Sequence, residues 1–279
     1  MKISVIVTTY NRPDALKKVL DGLLAQTCLP HEIIVADDGS GPETRQMIAP
    51  YLGNKNPLIK HVWQPDDGFR LAQIRNRAIL ACQGEYLVFL DGDCIPEKHF
   101  VEDHHDLADH GAFFQGKRVL VNQAAAEQLD HSGMDCLVKV VGLALSLKIS
   151  NWHHILRIPL FPSRKKTGLS GLRGCNMGIF KKDAQAVNGF NHEFVGWGRE
   201  DAEFVTRLYK YGLKRKENPF RAICYHLWHK ENTRERLADN DALLEQCIKN
   251  IHYSCASGLN SLKQDNSFSA VNRGERAYD

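Results

Sequence analysis

Short apolar runs alternate with amphipathic segments through the first third of the chain. The runs are rich in β-branched residues and have the length of buried strands, and segments with helical periodicity separate them. Strands connected by helices form a parallel sheet that carries helices on both faces. The sequence therefore predicts an α/β fold on a mostly parallel sheet, with strands over residues 3–8, 31–36, 58–63 and 86–90.

The pattern becomes less regular in the second half of the chain. Helices are predicted from Pro13 onward and over residues 43–49, 71–82, 134–149, 181–187, 200–211 and 235–253. Further strands are predicted over residues 113–121, 174–180 and 220–225, with a break at Gly116, and loops over 152–168 and 190–197. The polar tail from residue 256 has a composition typical of disorder.

Polar residues follow three of the predicted parallel strands at the point where each strand ends. They occupy residues 8–12, 37–40 and 91–93. Ligands of such sheets bind at the carboxyl ends of the strands. We therefore expect these three segments to line one cleft.

Asp91-Gly92-Asp93 directly follows the apolar run of residues 86–90. Two carboxylates one residue apart can converge if the glycine bends the chain, and converging carboxylates need a cation. Mg²⁺ and Mn²⁺ take oxygen ligands and often share them with a phosphate. The tripeptide predicts a divalent metal site, and an ordinary Asp-Gly turn is the alternative.

Composition and charge exclude several classes of function. The net charge of +3 is too small to favour nucleic acid as a partner. None of the eight cysteines forms a C-x-x-C pair, which argues against a zinc ribbon, and cysteines without pattern favour a reducing compartment. No leader with a cleavage site and no run of ~20 apolar residues is visible. We expect a cytoplasmic location, and peripheral contact with the inner membrane surface stays open.

Residues 137–166 combine an amphipathic segment with Trp152, Phe161 and the basic run of residues 164–166. Basic and aromatic residues together suit a membrane surface or a phosphorylated glycolipid acceptor. A mobile lid over the donor and a solvated loop are the alternatives. The sequence does not rank these interpretations.

Four segments together resemble family 2 glycosyltransferases of the GT-A fold. They are residues 5–12 (VIVTTYNR), 36–40 (ADDGS), 90–93 (LDGD) and 189–201 (GFNHEFVGWGRED). The last is similar to the acceptor-side motif of β-1,4-galactosyltransferases and bacterial chondroitin polymerases. The resemblance covers roughly residues 1–230.

The resemblance implies a single large GT-A domain, with a Rossmann-like sheet flanked by helices and a helical C-terminal extension. Residues 1–115 would form the nucleotide-sugar-binding half, residues 116–230 the acceptor-binding half, and residues 231–279 a C-terminal helix and polar tail. The implied activity is a metal-dependent, inverting transfer of a sugar from a UDP-sugar to a hydroxyl of a glycan or glycolipid acceptor. The implied role is bacterial surface polysaccharide or lipopolysaccharide synthesis.

The resemblance also implies the residues that hold the donor. Asp38 would accept a hydrogen bond from uracil, and Tyr10 would stack on the base. A helix cap or Asx-turn is the alternative role of Asp38. The full set of implied donor-binding residues is Thr8, Tyr10, Arg12, Asp38, Arg70, Asp91 and Asp93. Arg75 and Arg77 are expected to be surface or ion-pair residues.

Asp93 is the first implied ligand of Mn²⁺ or Mg²⁺, and Asp91 would contact the ribose or support the metal through water. The family places a histidine after a late strand, which matches His226 best and His229 second. Ordinary polar loop residues are the alternative for both histidines.

On the acceptor side the resemblance makes Asp201 the base that deprotonates the attacking hydroxyl. Glu200 would bind the acceptor sugar and Trp197 would stack on it, although acids at positions 200 and 201 also suit a helix start. Asn176 is an acceptor-binding candidate, and a tight turn at Gly174 is the equal alternative. Arg199 stands where the family often has glycine.

Two other functions stay open at this stage. A sugar nucleotidyltransferase would need a glycine-rich loop after the first strand, which residues 8–12 do not supply. A catalytically idle glycan-binding module would not need the acids and histidine named above.

Overall fold

The computed structural model describes residues 1–127, 129–134, 137–230 and 233–264, without the side chains of residues 133–140 and 264. Its strands are β1 (Ile3–Thr9), β2 (Glu32–Asp37), β3 (Leu58–Trp63), β4 (Tyr86–Asp91), β5 (Cys94–Pro96), β6 (Ala112–Gln115), β7 (Lys117–Val121), β8 (Ile149–Ser150), β9 (Arg164–Lys166), β10 (Asn176–Phe180), β11 (Lys214–Glu217) and β12 (Ile223–His226).

Helices connect and cover these strands. They are α1 (Pro13–Leu24), α2 (Pro42–Ile48), α3 (Leu71–Ala81), α4 (Phe100–Leu107), α5 (Gln123–Ala126), α6 (His131–Met134), α7 (Leu137–Leu145), α8 (Lys181–Ala186), α9 (Glu200–Lys210), α10 (Leu237–Lys249) and α11 (Leu259–Gln264). Short 3₁₀ turns span Ala49–Tyr51 and Trp152–His154. No helix within the described ranges is long and apolar enough to cross a membrane.

The main sheet has eight strands in the order β3-β2-β1-β4-β10-β6-β11-β9. Strands β3, β2, β1 and β4 run parallel, as does the pair β6–β11, whereas β10 and β9 run antiparallel to their neighbours. The four strands predicted from the first third of the chain form one contiguous parallel block. The predicted α/β fold with a mostly parallel sheet is confirmed.

Both faces of this block are buried. On β1, Val5 and Val7 belong to one core cluster and Ile6 belongs to the other. On β4, Val88 and Phe89 divide between the two clusters in the same way. Burial on both faces explains why these strands are continuous apolar runs rather than alternating ones.

The predicted strand over residues 113–121 is two strands in different sheets. β6 joins the main sheet, whereas β7 joins a second sheet with the order β5-β12-β7-β8. Gly116 marks the break because a Cβ there would collide with the side chain of Asn176. Strand β5 of the second sheet begins at Cys94, directly after the Asp91-Gly92-Asp93 segment at the end of β4, so the second sheet adjoins the carboxyl end of β4.

Three predicted boundaries are corrected in the second half. The stretch 152–168, predicted to be a loop or lid, contains the edge strand β9. The structure also has the charged strand β11, which the sequence pattern does not predict. The helix predicted over 134–149 is the shorter α7, preceded by α6. The tail predicted from residue 256 begins with ordered α11, in which Leu259 and Leu262 are buried, and residues 265–279 lie outside the described part.

Candidate active site

The polar strand ends meet at one edge of the main sheet. Thr8 and Asp91 are register partners on β1 and β4, and the Thr8 hydroxyl donates to Asp91 Oδ1 at 3.0 Å. The backbone N–H of Asp38 donates to the carbonyl of Thr9 at 3.0 Å. The predicted convergence of these segments is thus present in the structure.

Asp38 is a buried carboxylate held in a fixed orientation. Its Oδ1 accepts from Gln64 Nε2 at 2.5 Å, and its Oδ2 accepts from the backbone N–H of Arg70 at 2.8 Å. Burial raises its pKa to about 6, although these hydrogen bonds act in the opposite direction. The preceding Asp37 is used structurally, since it accepts from Ser40 N–H and contacts His61.

Tyr10 and Arg70 both contact the loop of residues 65–67, which lies across the turn after β2. The Tyr10 hydroxyl donates to Asp66 at 2.9 Å, and Arg70 Nη2 donates to the carbonyl of Pro65 at 2.5 Å. This loop can approach the turn after β2 closely only because residue 39 is glycine. Gly39 has φ +96°, and a Cβ added there would lie 2.6 Å from the Asp66 Cα. The Tyr10 ring remains half-exposed beside Asp38 and is therefore available for stacking.

Asp93, His226 and His229 form the candidate metal centre. One ligand atom from each lies within 4.8 Å of the others. Asp93 Oδ1 is 3.7 Å from His226 Nε2, and Asp93 Oδ2 is 3.4 Å from His229 Nε2. The antiparallel pairing of β5 with β12 places His226 opposite Cys94 and brings this distant strand to the acidic tripeptide. Both histidines offered by the sequence therefore reach Asp93.

The electrostatics of this cluster suit a metal. Burial lowers the pKa of His226, and the positive charge of Arg118 lowers it further. The negative charge of Asp93 raises this pKa but does not cancel the effect of burial. A neutral imidazole has a lone pair to share, and one carboxylate with two imidazoles can hold a divalent transition-metal ion. Arg12 forms an ion pair with Asp93 Oδ2 at 2.8 Å, so its guanidinium must move for that oxygen to bind a metal.

Arg75 joins the donor and acceptor sides. The expected ion-pair role is confirmed, but the sequence did not predict that the side chain would be buried in the cleft. Its side chain is 2% exposed; Nη2 lies 3.3 Å from Asp91 Oδ1 and Nη1 lies 3.3 Å from Glu200 Oε1. The guanidinium also lies over the Phe190 ring, 5.1 Å from its centre. Arg75 follows Ala72 by three residues, and this position on the buried face of α3 was the available signal.

The acidic pair at the start of α9 enters the cleft from the side opposite Asp91. A Cβ on Gly174 would lie 3.2 Å from the Asp201 Cβ and 3.4 Å from the Arg75 guanidinium, so the chain passes close to both. Burial raises the pKa of Glu200 to about 7; the charge of Asp201 adds to this and Arg75 opposes it. Within the described residues Asp201 makes no ion pair, and its Oδ1 accepts from the N–H of Ala202 at 2.7 Å.

Trp197 lies in a loop that other elements hold in place. The Gly196 N–H donates to the Phe69 carbonyl at 2.9 Å, and the Asn240 amide donates to the Gly198 carbonyl at 2.9 Å. The indole is 40% exposed and has the Arg234 guanidinium 5.2 Å from its ring centre. An exposed indole on a fixed loop can stack on a sugar face.

Asn176 is not available to an acceptor, and the prediction of a sugar-binding role is wrong. Its side chain is 1% exposed. Its oxygen contacts His104 at 3.0 Å, and its amide nitrogen donates to the Ala222 carbonyl at 2.8 Å and the Lys117 carbonyl at 3.2 Å. Asn176 instead ties the main sheet to the second sheet and to α4.

Comparisons with known proteins agree with this architecture. A model of Glycosyl transferase family 2 matches residues 4–187, and one described as the N-terminal domain of galactosyltransferase matches residues 156–230. The chondroitin synthase of Escherichia coli is 28% identical over 271 residues, which cover 90% of this chain and 38% of that protein. The chain spans about half or less of the length of the first curated relatives it matches.

Two solved structures share the fold. Residues 1–349 of S. aureus TarS, in complex with UDP-GlcNAc, superpose with a TM-score of 0.63 at 20% identity, covering 90% of this chain and 67% of that one. The mannosyltransferase PcManGT from Pyrobaculum calidifontis, in complex with GDP-Man and Mn²⁺, gives a TM-score of 0.55 at 17% identity, covering 82% and 58%. Both likenesses identify the GT-A fold.

Proposed function

The chain belongs to glycosyltransferase family 2, and on that premise we propose that it is a metal-dependent, inverting glycosyltransferase that uses a UDP-sugar. Its acceptor would be a hydroxyl of a glycan or glycolipid. The observation that carries the proposal is the meeting of Asp93, His226 and His229 in the same cleft as the acidic pair of α9. A nucleotidyltransferase has no comparable need for a base on the acceptor side.

The donor would lie along the strand ends of β1, β2 and β4. The oxygens of Asp38 are fixed in position beside the half-exposed Tyr10 ring. Asp38 would bind the edge of the uracil, and Tyr10 would stack on its face. Thr8 and Asp91 are hydrogen bonded to each other and would meet the ribose. Arg70, whose backbone holds Asp38, would add positive charge nearby.

Asp93, His226 and His229 would hold the Mn²⁺ or Mg²⁺ ion, with Asp93 as first ligand. When bound, the ion supplies positive charge that stabilises the negative charge growing on the β-phosphate of the leaving group. Arg12 would leave Asp93 and direct its own charge to the pyrophosphate. One of the two solved neighbours contains UDP-GlcNAc and the other contains Mn²⁺, which supports a UDP-sugar donor and a divalent metal for this chain.

Asp201 would act as the base on the acceptor hydroxyl. Its carboxylate makes no ion pair with a described cation, whereas Glu200 is held by Arg75. A single base with direct displacement inverts the anomeric centre, because no second carboxylate acts as nucleophile. Glu200 would orient the acceptor, and Trp197 would stack on a sugar face.

The surface of residues 145–166 favours a peripheral contact with the inner membrane. Leu145, Leu147 and Leu160 are 81%, 86% and 96% exposed, Trp152 is also exposed, and the basic strand β9 follows. Exposed apolar residues followed in the chain by a basic strand suit an anionic lipid surface. Such a contact would suit an enzyme of bacterial surface polysaccharide synthesis, the role suggested by its likeness to chondroitin synthase.

Vesicle flotation tests the membrane contact. The protein should float with vesicles of phosphatidylglycerol and phosphatidylcholine, and less with phosphatidylcholine alone. Leu147→Ser combined with Leu160→Ser should abolish flotation, whereas Leu29→Ser, at an exposed leucine elsewhere, should not. Equal flotation of all three proteins would contradict the proposal.

The activity is tested by incubating the protein with a panel of UDP-sugars and measuring UDP release with and without Mn²⁺. We expect release of UDP that Mn²⁺ stimulates for one or a few sugars, and faster release with acceptor present. UDP binding that needs Mn²⁺ but leads to no hydrolysis or transfer would instead identify an idle glycan-binding module. UDP binding that is indifferent to Mn²⁺ would contradict the metal centre.

A further inference from the structure

A cavity of about 170 Å³ opens next to strand β7 of the second sheet. It lies between β7, the turn Trp152–His154 and the segment of residues 171–175. Its lining includes Lys117, Arg118, Asn151, His154, Arg173 and Cys175. The lining segment passes through Gly174, where an added Cβ would lie 3.2 Å from the Asp201 Cβ and 3.4 Å from the Arg75 guanidinium. The cavity therefore adjoins the chain segment that passes the candidate base. The carbonyl of its lining residue Cys175 also accepts from the backbone N–H of Asp91 at 3.3 Å.

The cationic side chains of this cavity exceed the acids that could neutralise them. Lys117 pairs with Glu217 at 3.0 Å, but Glu217 also pairs with Lys166 and Arg215, each at 3.0 Å. A single carboxylate thus serves three cations. Electrostatic focusing in a concave site lined by one sign of charge attracts ligands of the opposite sign.

Two arginines at the cavity have no carboxylate partner among the described residues. Arg118, which is partly buried, donates from Nη1 to Cys175 Sγ at 3.7 Å, a weak acceptor. Arg173 is exposed, and its Nη1 donates to the carbonyl of Leu172 at 2.6 Å. A guanidinium presents a fork of N–H donors that matches a carboxylate or phosphate, and most of these donors remain available at both arginines.

The size and the remaining lining suit a sugar-sized group. A cavity of ~150 Å³ in another protein holds a benzene ring, so this one accommodates a six-membered ring or a phosphate. The Asn151 side chain makes no hydrogen bond within the described ranges and can serve sugar hydroxyls. A concave site of this kind fits a discrete anionic group better than the flat surface of a membrane.

We propose that this cavity binds an anionic group of the acceptor, a carboxylate or a phosphate, next to the hydroxyl that Asp201 deprotonates. The inference rests on the proposed function and names the acceptor class for it: a glycan that carries negative charge near its reactive end. Arg118 and Arg173 would form the charged hydrogen bonds, and Asn151 would contact the ring.

Calorimetric titration of the full chain with UDP and Mn²⁺ present tests this inference. The probes are methyl β-D-glucuronide, methyl β-D-glucoside and glucose 6-phosphate, so that the uncharged ring is matched to a carboxylate and a phosphate. At least one charged probe should bind about tenfold or more tightly than the glucoside, consistent with charge-assisted pairs. The tighter of the two identifies which anion the acceptor carries.

Two arginine variants test whether the preference for the charged probe arises from the cavity. Arg118→Gln should reduce the preference for the charged probe about tenfold, and Arg173→Gln, at an exposed position that tolerates change, should reduce it in the same direction. Lys214→Gln, at an exposed lysine with no described side-chain partner, is the matched control and should leave it unchanged.

Three results would overturn the inference. They are equal affinity for the charged and uncharged probes, no binding of any probe, and a preference that both arginine variants retain. Binding to anionic vesicles alone would assign the positive charge to the membrane contact instead. Titration of UDP with and without Mn²⁺ on the same samples separates these failures from a failure of the proposed function. A loss of UDP affinity in Arg118→Gln would also overturn the inference, because it would assign the cavity to the donor.

Discussion

The donor side and the acceptor side of the cleft are built in different ways. Thr8, Asp38 and Asp91 stand at the ends of adjacent parallel strands within the first third of the chain. On the acceptor side, Asp201 comes from the start of α9 and reaches the cleft through contacts distant in sequence, and the metal ligand His226 reaches the donor side from the second sheet. Most of the donor side therefore follows from local periodicity, whereas the acceptor side and His226 depend on how distant elements pack.

Arg75 is the physical connection between the two sides. Its guanidinium contacts Asp91 on one side and Glu200 on the other, two residues of the chain that are far apart in sequence. Changes at the metal centre and the base test each side separately, and changes at this arginine test their coupling.

The largest expected effect is at the donor side. Asp93→Ala removes the only described carboxylate of the candidate metal centre, so Mn²⁺-dependent UDP binding should be lost. Calorimetry of UDP binding with and without Mn²⁺ checks this. Glu85→Ala, at an exposed acid before β4 at the opposite end of the sheet, should bind UDP as the parent does. A Mn²⁺ effect that survives Asp93→Ala would locate the metal elsewhere.

The next effect is confined to the acceptor side. Asp201→Asn removes the proton acceptor and should lower kcat by ~10²–10⁴ while the dissociation constant of UDP stays near the parent value. Steady-state kinetics and UDP titration of the same sample measure the two quantities. Glu200→Gln should lower kcat less. If the order of the two variants is reversed, Glu200 is the base and Asp201 is the orienting acid.

Replacing Arg75, which connects the two sides of the cleft, should lower the stability of the folded protein. Arg75→Met leaves Asp91 and Glu200 without their shared cation, and we expect a loss of ~2–4 kcal/mol in the free energy of unfolding. Urea unfolding measures this loss. Lys17→Met, which removes an exposed pair on α1, should cost at most ~0.5 kcal/mol.

A second substitution sharpens the result for Arg75. Adding Glu200→Gln to Arg75→Met removes one of the two uncompensated carboxylates and should restore part of the lost stability. If the double variant is no more stable than Arg75→Met alone, the loss comes from packing against Phe190 and not from charge.

The smallest effect is a pH dependence at Glu200. Its pKa is raised from 4.5 to about 7 in the folded protein, so the folded state holds the proton more tightly and loses stability as pH rises through this window. Glu200→Gln lacks this loss, and its stability relative to the parent should increase by ~1–3 kcal/mol between pH 4.5 and 7. Urea unfolding across that range measures it. A difference that is independent of pH would show that the carboxyl is not buried as described.

Most of the donor side could be predicted because each of its residues directly follows an apolar run. Asp91 and Asp38 follow buried strands, and parallel strands bring their carboxyl ends to one edge. Asn176 shows where this reasoning fails. It also begins a strand near a glycine, but β10 lies inside the sheet, between β4 and β6, and its side chain is enclosed by the second sheet.

The sequence by itself determined the parallel core of the fold and the acids and histidines of the candidate site, because apolar periodicity and strand-end chemistry are local properties. Only the tertiary structure decided that Arg75 is buried between two acids, that Asn176 is structural, and that Arg118 lines a cavity. The physical reason is that charge, burial and partner choice at these residues depend on segments that lie 72 to 125 residues away, which no short pattern encodes.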